Sequence, residues 1–527
     1  MVKTYADSKG LHEKILRGVN ILADNVASTL GPRGRNVILQ TKSSNPIITK
    51  DGVTVAKFVE LEDPIENVGA QIIKQAASYT NSNAGDGTTT STVLAREMLS
   101  AAQKYLMAGV SPIELKRGMD KAVTAIVENL KDMARPVESE EVIKHVATIS
   151  ANGDDGIGGM IATAVDKVGK DGAITVEEGR TMETDLDIVE GFRFDSGWHA
   201  KAFINNQRRL AVEYDNALML VTNHKIENVQ DILPVLEVVA RENRPFIIVG
   251  EEVTGQALAA LIMNTVRGTM KVAAVKAPRY GEERRNILKD LCASTGATFV
   301  SRDSGLQLSE VDLTHLGQAK KVEVMKNSTT IVGGMGDMKK VQERIEILKE
   351  EIKQTEELVE CERIQERITR LVSGIAIIRV GAPTEIEMIE KKHRIEDALE
   401  AVKSAQQEGV VPGGGTALVR ASDTLDLDLS TEDESIGVKI VKQAVTAPLR
   451  QMAINADMSP DIILSKVREA KSGRGWNFYA GEMVDMYSAG IIDPVKVTRT
   501  ALQNATSVAS MIMTTNYAIV EGKKRDS

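Results

Sequence analysis

Cysteine is almost missing: Cys292 and Cys361 are the only two in 527 residues. That scarcity excludes a disulfide framework and fits a reducing compartment. Aromatic residues make up only 3% of the chain and the formal net charge is −9. Both argue against nucleic acid as a partner, because base stacking needs rings and phosphate needs cations, although a local basic patch stays open. The six histidines include no two at a short helical interval, so a zinc-type site has no ligands to draw on. No apolar run approaches the length of a membrane span. Met1 to Gly10 is polar and contains Asp7, unlike a secretory signal or an Arg-rich transit peptide, and the expectation is a cytoplasmic protein. What remains, 42% apolar and 26% charged residues, is globular, and the length calls for roughly three or four domains.

Helical periodicity dominates the start of the chain. Val19, Leu22, Ala23 and Val26 share one face of a helix that ends at Gly31-Pro32. Asn36 to Gln40 and Ile47 to Lys50 are short β-branched runs around Pro46 and read as a hairpin. Ser111, Pro112 and Glu114 supply a cap, a first-turn proline and a capping-box acid for a helix striped with Met119, Ala122, Val123, Ile126 and Leu130. From about Gly191 the texture becomes α/β, with strands at Leu218 to Thr222, Phe246 to Gly250 and Val272 to Val275 and helices around Ile232 and Leu258. Residues 338 to 372 carry Val341, Ile345, Leu348, Ile352, Ile364, Ile368 and Leu371 at helical spacing, which predicts two antiparallel helices. Beyond Gly374 helices return, one of them running through Ile395, Ala398, Leu399 and Val402 to Gly409. An α/β segment between two helical ones suggests a discontinuous helical domain carrying an inserted module; three consecutive domains would give the same spacing.

Several polar segments have the composition of phosphate sites. Gly85-Asp86-Gly87 precedes Thr88, Thr89 and Thr90 at the start of an apolar helix, where unpaired N–H groups and a lone carboxylate suit a polyphosphate and a hard cation. An Asp-Gly turn with a threonine N-cap explains the same residues. Thr29-Leu30-Gly31-Pro32-Arg33-Gly34 is a glycine-containing bend after a helix, and Asp51-Gly52 follows the second hairpin strand. Pro412-Gly413-Gly414-Gly415 is costly to order and points to a close approach to the backbone, but no Lys-Ser or Lys-Thr follows, so it is not a Walker loop. The run Gly156, Gly158, Gly159 lacks a preceding strand and the dinucleotide spacing. Asp397, beside Glu396 on the long helix, fits a solvated charged face; with a nucleotide site nearby it could also orient an attacking water.

Thr29 to Val37, Lys50-Asp51-Gly52-Val53, Ala84 to Thr90, Val410 to Gly415 and Ile492-Asp493-Pro494 together make the chain resemble a group I chaperonin, the 60-kDa type, over nearly its whole length. The resemblance implies a multidomain α and α/β chaperonin fold. Residues 1–134 and 409–527 would form a mainly helical equatorial ATP-binding domain. Residues 135–190 and 375–408 would form a small intermediate hinge domain, and 191–374 an inserted α/β apical domain. It further implies an ATP hydrolase coupled to protein folding, with Thr29, Leu30, Gly31, Lys50, Gly87, Thr88, Thr89 and Thr90 around the phosphates. Asp86 would bind Mg2+, and backbone oxygens of Thr29 and Lys50 would help hold K+. Asp51 and Asp397 would be the catalytic pair that positions water, while Gly414, Asn477 and Asp493 would contact ribose and adenine. Pro136, Gly191, Gly374 and Gly409 are the hinge candidates. The face that takes non-native polypeptides and a 10-kDa-type co-chaperonin would comprise Trp198, Phe203, Leu233, Leu236, Leu258, Leu261, Ile262 and Met263, residues whose helical spacing core packing would equally explain. A homo-oligomeric ring, by the resemblance a heptamer, single or double, is implied as well. A specialised ring-forming holdase or scaffold with little ATP turnover is the alternative function.

The chain also departs from the family pattern. His199-Ala200-Lys201-Ala202 replaces the usual apical stretch, Phe478-Tyr479 stands where small residues flank the base, and Lys523-Lys524-Arg525 replaces a glycine- and methionine-rich tail. Ser459 occupies the place of a carboxylate near Arg450, which predicts weaker stacking between rings.

Overall fold

A computed structural model describes residues 3–6, 8–40, 46–169, 173–179, 181–189, 191–355, 358–372 and 374–521. The Lys523-Lys524-Arg525 tail lies outside them. The chain divides into two compact units, one of Met1–Thr163, Glu178–Thr184 and Val380–Ser527, the other of Ala164–Glu177 and Asp185–Arg379. Residues 135–190 and 375–408, expected as a separate hinge domain, are shared between these two units.

The first unit is helical and built from both chain ends. Strands Lys3–Ala6 and Ala518–Glu521 pair antiparallel. Helices Ser8–Ala27, Pro64–Ala84, Thr88–Met107 and Pro112–Asp132 share one core with Glu432–Ala444 and Val495–Met513, through buried residues such as Leu22, Ile73, Met98, Ile126, Val441 and Leu502. Glycine pairs set two of the helix crossings. A Cβ on Gly18 would lie 1.8 Å from the Glu66 carbonyl oxygen, and one on Gly69 would lie 2.3 Å from that of Ile15. Gly118 and Gly437 repeat the arrangement against Glu434 and Leu115, at 2.0 and 2.2 Å. At each crossing a side chain would force the backbones apart, and the apolar residues on either side would lose their close packing.

The second unit holds a seven-stranded sheet. Its order is Val272–Lys276, Phe246–Gly250, Val212–Thr222, Gly317–Val324, Thr329–Gly334 and Gly191–Phe194, with Phe299–Val300 also beside Val212–Thr222. The first three strands are parallel, and the helices Val229–Glu242 and Gly255–Val266 fall between them in sequence, as right-handed crossovers require. The strands that follow are antiparallel. Helices Met338–Gln354 and Leu358–Val372 pack on one another through Val341, Ile345, Leu348, Ile364 and Ile368, the stripe expected from the sequence. A buried carboxylate fastens them to helix Gly281–Thr295. Asp290 accepts two hydrogen bonds from Arg367, at 2.7 and 3.0 Å, and one from Arg344 at 2.9 Å.

The hinge candidates differ in their surroundings. Gly409 caps helix Glu385–Glu408 with φ +82°, and its Cβ would fall 2.6 Å from the Arg135 carbonyl oxygen. Gly191 and Gly374 are crowded by Ile375 and Ile188, at 1.9 and 2.7 Å from their Cβ positions. Pro136 is exposed.

Candidate functional site

The hairpin of Val37–Leu39 and Ile47–Thr49 delivers Lys50 and Asp51 to the start of helix Gly52–Phe58. Asp51 caps that helix, its carboxylate accepting from the Val53 and Thr54 amides at 2.9 and 3.1 Å. Residue 52 is glycine because a Cβ there would sit 2.3 Å from Thr89 Oγ1. Two helix N-termini are thereby brought together, Gly52–Phe58 and Thr88–Met107.

Helix Thr88–Met107 has Gly87 as its N-cap, at φ +89°, and no side chain caps its first amides. Gly85, at φ +77°, ends the preceding helix, and its Cβ would strike Cβ of Glu400 at 2.1 Å. Two left-handed residues thus flank Asp86 where only glycine fits without strain. Asp86 accepts from the Gly87 amide and from the Ser150 hydroxyl, the latter at 3.3 Å. Burial pushes its carboxyl pKa up, and the charge of Asp51 adds to the effect.

Asp493 reaches the same place from strand Ile492–Pro494, which pairs with Val410–Pro412 so that Val411 faces Asp493. Its carboxyl is raised to about 7, by burial first and by the Asp86 charge second, against a hydrogen bond from the Gly414 amide. Gly413 is close behind, with a Cβ position 2.9 Å from Asp493 Oδ1, and Gly414 and Gly415 have φ of +62° and +74°. Asp86 therefore feels the charges of both Asp51 and Asp493 in a partly buried space, and like charges so placed favour a cation beside Asp86.

The bend at 29–34 closes another side. Asn455 Nδ2 donates to the Ala27 and Leu30 carbonyls, both at 2.9 Å, and Lys50 Nζ donates to the Gly31 carbonyl at 3.1 Å. Burial lowers the Lys50 pKa, with the Arg394 charge second. Arg394 lies on helix Glu385–Glu408, as do Asp397 and Glu400, each about one turn from the next. Since Arg394 is near Lys50 and Glu400 abuts Gly85, half-buried Asp397 falls on the stretch of helix that spans this opening. Farther along, Asn477 Oδ1 accepts from the Tyr479 and Ala480 amides at 2.9 and 3.1 Å, and the Tyr479 carbonyl accepts from Arg33 at 3.3 Å. The Phe478 ring borders the opening, its Cε2 3.9 Å from the Cβ position of Gly414. It is buried with Val419, Leu449 and Met452, while Tyr479 is 76% exposed.

Ser150, Arg394 and Asn455 were not foreseen from the sequence. Each lies on a helix, and no local pattern marks it. Among the described residues no three or more His, Cys, Asp or Glu side chains form a metal-binding group. A single protein carboxylate with the remaining ligands from phosphate and water is the usual arrangement for magnesium, and Asp86 fits it.

In the second unit the anticipated apolar face separates into core and surface. Phe203 and Leu261 are 0% exposed and Leu236 is 6% exposed, so these three are core residues and offer no surface. The reason lies in the helix faces: Leu236 lines up with Ile232 and Val239, and Leu261 with Ala257, all turned to the sheet. Leu233 and Met263 are 46% and 47% exposed. Leu258, Ile262 and Trp198 are partly buried against the same core, and the Trp198 indole donates to the Leu210 carbonyl. Val266, 69% exposed, extends the surface and was not anticipated. His199 Nε2 accepts from the Val253 amide, which gives part of the divergent 199–202 stretch a structural task.

The sequence profile of the TCP-1/cpn60 chaperonin family matches residues 22–523. Among solved structures, the chaperonin gp146 from the bacteriophage EL 2 (Pseudomonas aeruginosa), crystallised in the presence of ATP-BeFx, superposes with a TM-score of 0.68 at 21% identity. The match covers 98% of this chain and 99% of that one. No helix among the described residues is long and apolar enough to cross a membrane.

Proposed function

Because this chain belongs to the TCP-1/cpn60 chaperonin family, we propose that it is an ATP-driven folding chaperonin whose nucleotide site is the space bounded by Asp51, Asp86 and Asp493. The observation that carries the reading is the meeting of these carboxylates with an uncapped helix N-terminus behind Gly87. Thr88, Thr89 and Thr90 would donate amides to phosphate, with Thr29, Leu30, Gly31 and Lys50 opposite. Asp86 would hold Mg2+, whose charge offsets the carboxylates that would otherwise repel phosphate. Backbone oxygens of Thr29 and Lys50 are the proposed K+ ligands. Gly414, Asn477 and Asp493 would hold ribose and adenine.

Asp51 is fixed by its cap bonds and Asp397 by its place on the long helix, so the two can hold a water in line with the terminal phosphate and take up its proton. Asp397 belongs to the expected intermediate domain, 135–190 with 375–408, and closure of that segment about Pro136, Gly191, Gly374 and Gly409 would complete the site. Movement of the apical segment, 191–374, would then exchange capture for enclosure. Leu233, Leu258, Ile262, Met263 and Trp198 are the proposed contacts for non-native polypeptides and for a 10-kDa-type co-chaperonin. Unfolded chains expose apolar side chains that folded proteins bury, so an apolar face selects them.

A homo-oligomeric ring is supported by two ribbons with open edges. Ile38, Ile47 and Ile48 are exposed on the 37–49 hairpin, and Tyr517 and Ile519 are exposed at the paired chain ends. Unlike ribbons joined head to tail between copies would close a ring and cover both edges. The test of the reading is ATP turnover by the purified chain and by Asp397→Ala. The variant is expected to lose at least about a hundredfold in turnover while still binding nucleotide. Unchanged turnover would remove Asp397 from the mechanism, and the presence of Asp51, Asp86 and Asp397 together would cease to favour an ATPase over a passive holdase.

A further inference from the structure

The segment between strands Glu482–Asp485 and Ile492–Pro494 consists of turns, yet it delivers Asp493. Met486, fully buried, anchors it through its amide to the Gly473 carbonyl at 2.9 Å, and Tyr487 beside it makes the contacts that follow. The Tyr487 ring is half-buried, with the Arg135 guanidinium carbon 3.6 Å from its centroid. Its hydroxyl donates to the Met133 carbonyl at 3.3 Å. Arg135 in turn is joined to Val410 through the backbone in both directions, its amide donating at 2.9 Å and its carbonyl accepting at 2.8 Å. Val410 begins the strand that pairs with Pro494, and the next pair along is Val411 with Asp493.

The far end of the segment is held as well. Gly490, at φ +69°, lies against the His145 ring, 2.6 Å from its Cβ position, and the Ile491 carbonyl accepts from the Gly413 amide at 2.9 Å. One end of the segment is thus held through Met486 and Tyr487 and the other through Gly490. Between them the positions of Gly413, Gly414 and Asp493 are set.

We infer that Tyr487 and Arg135 form a clasp that fixes the segment before Asp493, which makes Tyr487 a positioning residue for the base and ribose end of the nucleotide site. The inference rests on the nucleotide reading given above. Its consequence is directional: loss of the clasp weakens interactions at Gly414 and Asp493 and leaves the phosphate end at Gly85 to Thr90 intact.

The experiment compares binding of ATP and of inorganic tripolyphosphate, both with Mg2+, to the full chain by calorimetry. Tyr487→Leu is expected to weaken ATP about three- to thirtyfold, the range of a half-buried cation–π contact, with tripolyphosphate unchanged. Tyr487→Phe keeps the ring over the guanidinium and should retain most of the ATP affinity. Arg135→Met should match Tyr487→Leu, and the double variant should be no worse than either single one, since the two residues act as one unit. Equal weakening of both ligands would overturn positioning in favour of general destabilisation, and undiminished ATP binding in Tyr487→Leu would overturn the clasp itself. Wild-type protein that binds neither ligand would overturn the nucleotide reading and the clasp's role with it.

Discussion

Replacing Asp493 by asparagine tests the carboxylate cluster without any ligand. In the folded chain this carboxyl is raised from 3.8 to about 7, chiefly by burial and then by Asp86. The folded state therefore holds its proton more tightly than the unfolded state across that interval, and stability is full below about pH 4 and falls as pH rises towards 7. Each pH unit across the window is worth about 1.36 kcal/mol, so the whole span corresponds to at most about 4 kcal/mol at pH 8, a ceiling that structural relaxation and water entry reduce. Asparagine has nearly the same shape, keeps an acceptor for the Gly414 amide and carries no charge at any pH. The variant should match wild type near pH 4 and exceed it increasingly up to about pH 8. Denaturant midpoints of the nucleotide-free chain, taken every half unit from pH 4 to 8.5, measure the difference. A second curve in Asp86→Asn should show a narrower window that does not vanish, because burial is the larger cause. A wild-type-minus-variant difference that stays flat between pH 4 and 8 would refute the idea that Asp493 is a desolvated acid facing Asp86.

Gly85→Ala combines a left-handed backbone with a Cβ 2.1 Å from that of Glu400; about 2–4 kcal/mol of stability should be lost, along with Mg·ATP affinity, as read by thermal shift with and without nucleotide. In the second unit Leu261→Ala, at a fully buried position, should cost about 2–5 kcal/mol, whereas Met263→Ser should leave the melting temperature unchanged and reduce capture of a chemically denatured test protein, measured by light scattering. Arg450 is already paired with Asp461 at 2.7 Å, two residues beyond Ser459; native mass measurement with and without ATP should find ring pairs that dissociate readily, and stable double rings under both conditions would contradict this.

Much of the architecture follows from periodicity and turn chemistry. The Ser111-Pro112 start of its helix, the 338–372 helical pair and the three parallel strands all occur where spacing predicts them, because each depends on residues within a few positions of one another. The motif resemblance is borne out by the family match across residues 22–523. Membership was legible because the motif glycines stand where the backbone admits nothing larger, as at Gly85, Gly87 and Gly415.

Periodicity could not separate Leu236 and Leu261 from Leu233 and Met263. All four lie on amphipathic helices, and which face meets the sheet is decided by packing around Phe246, Val249 and Val275. Likewise the sequence could not tell how Phe478 is seated: its ring packs in the core with Val419 and Met452 while its edge borders Gly414.

Alone, the sequence determined which segments are periodic helices and which are parallel strands, and that a lone carboxylate lies between two glycines at 85–87. These are local matters of φ, capping and spacing. Only the tertiary structure decided that Asp86 stands within electrostatic reach of both Asp51 and Asp493, more than 400 residues apart at the extremes, and that Ser150 donates to it. Such proximity comes from long-range packing of helices and from strand register, and a one-dimensional pattern does not encode the distances that set a carboxylate's charge.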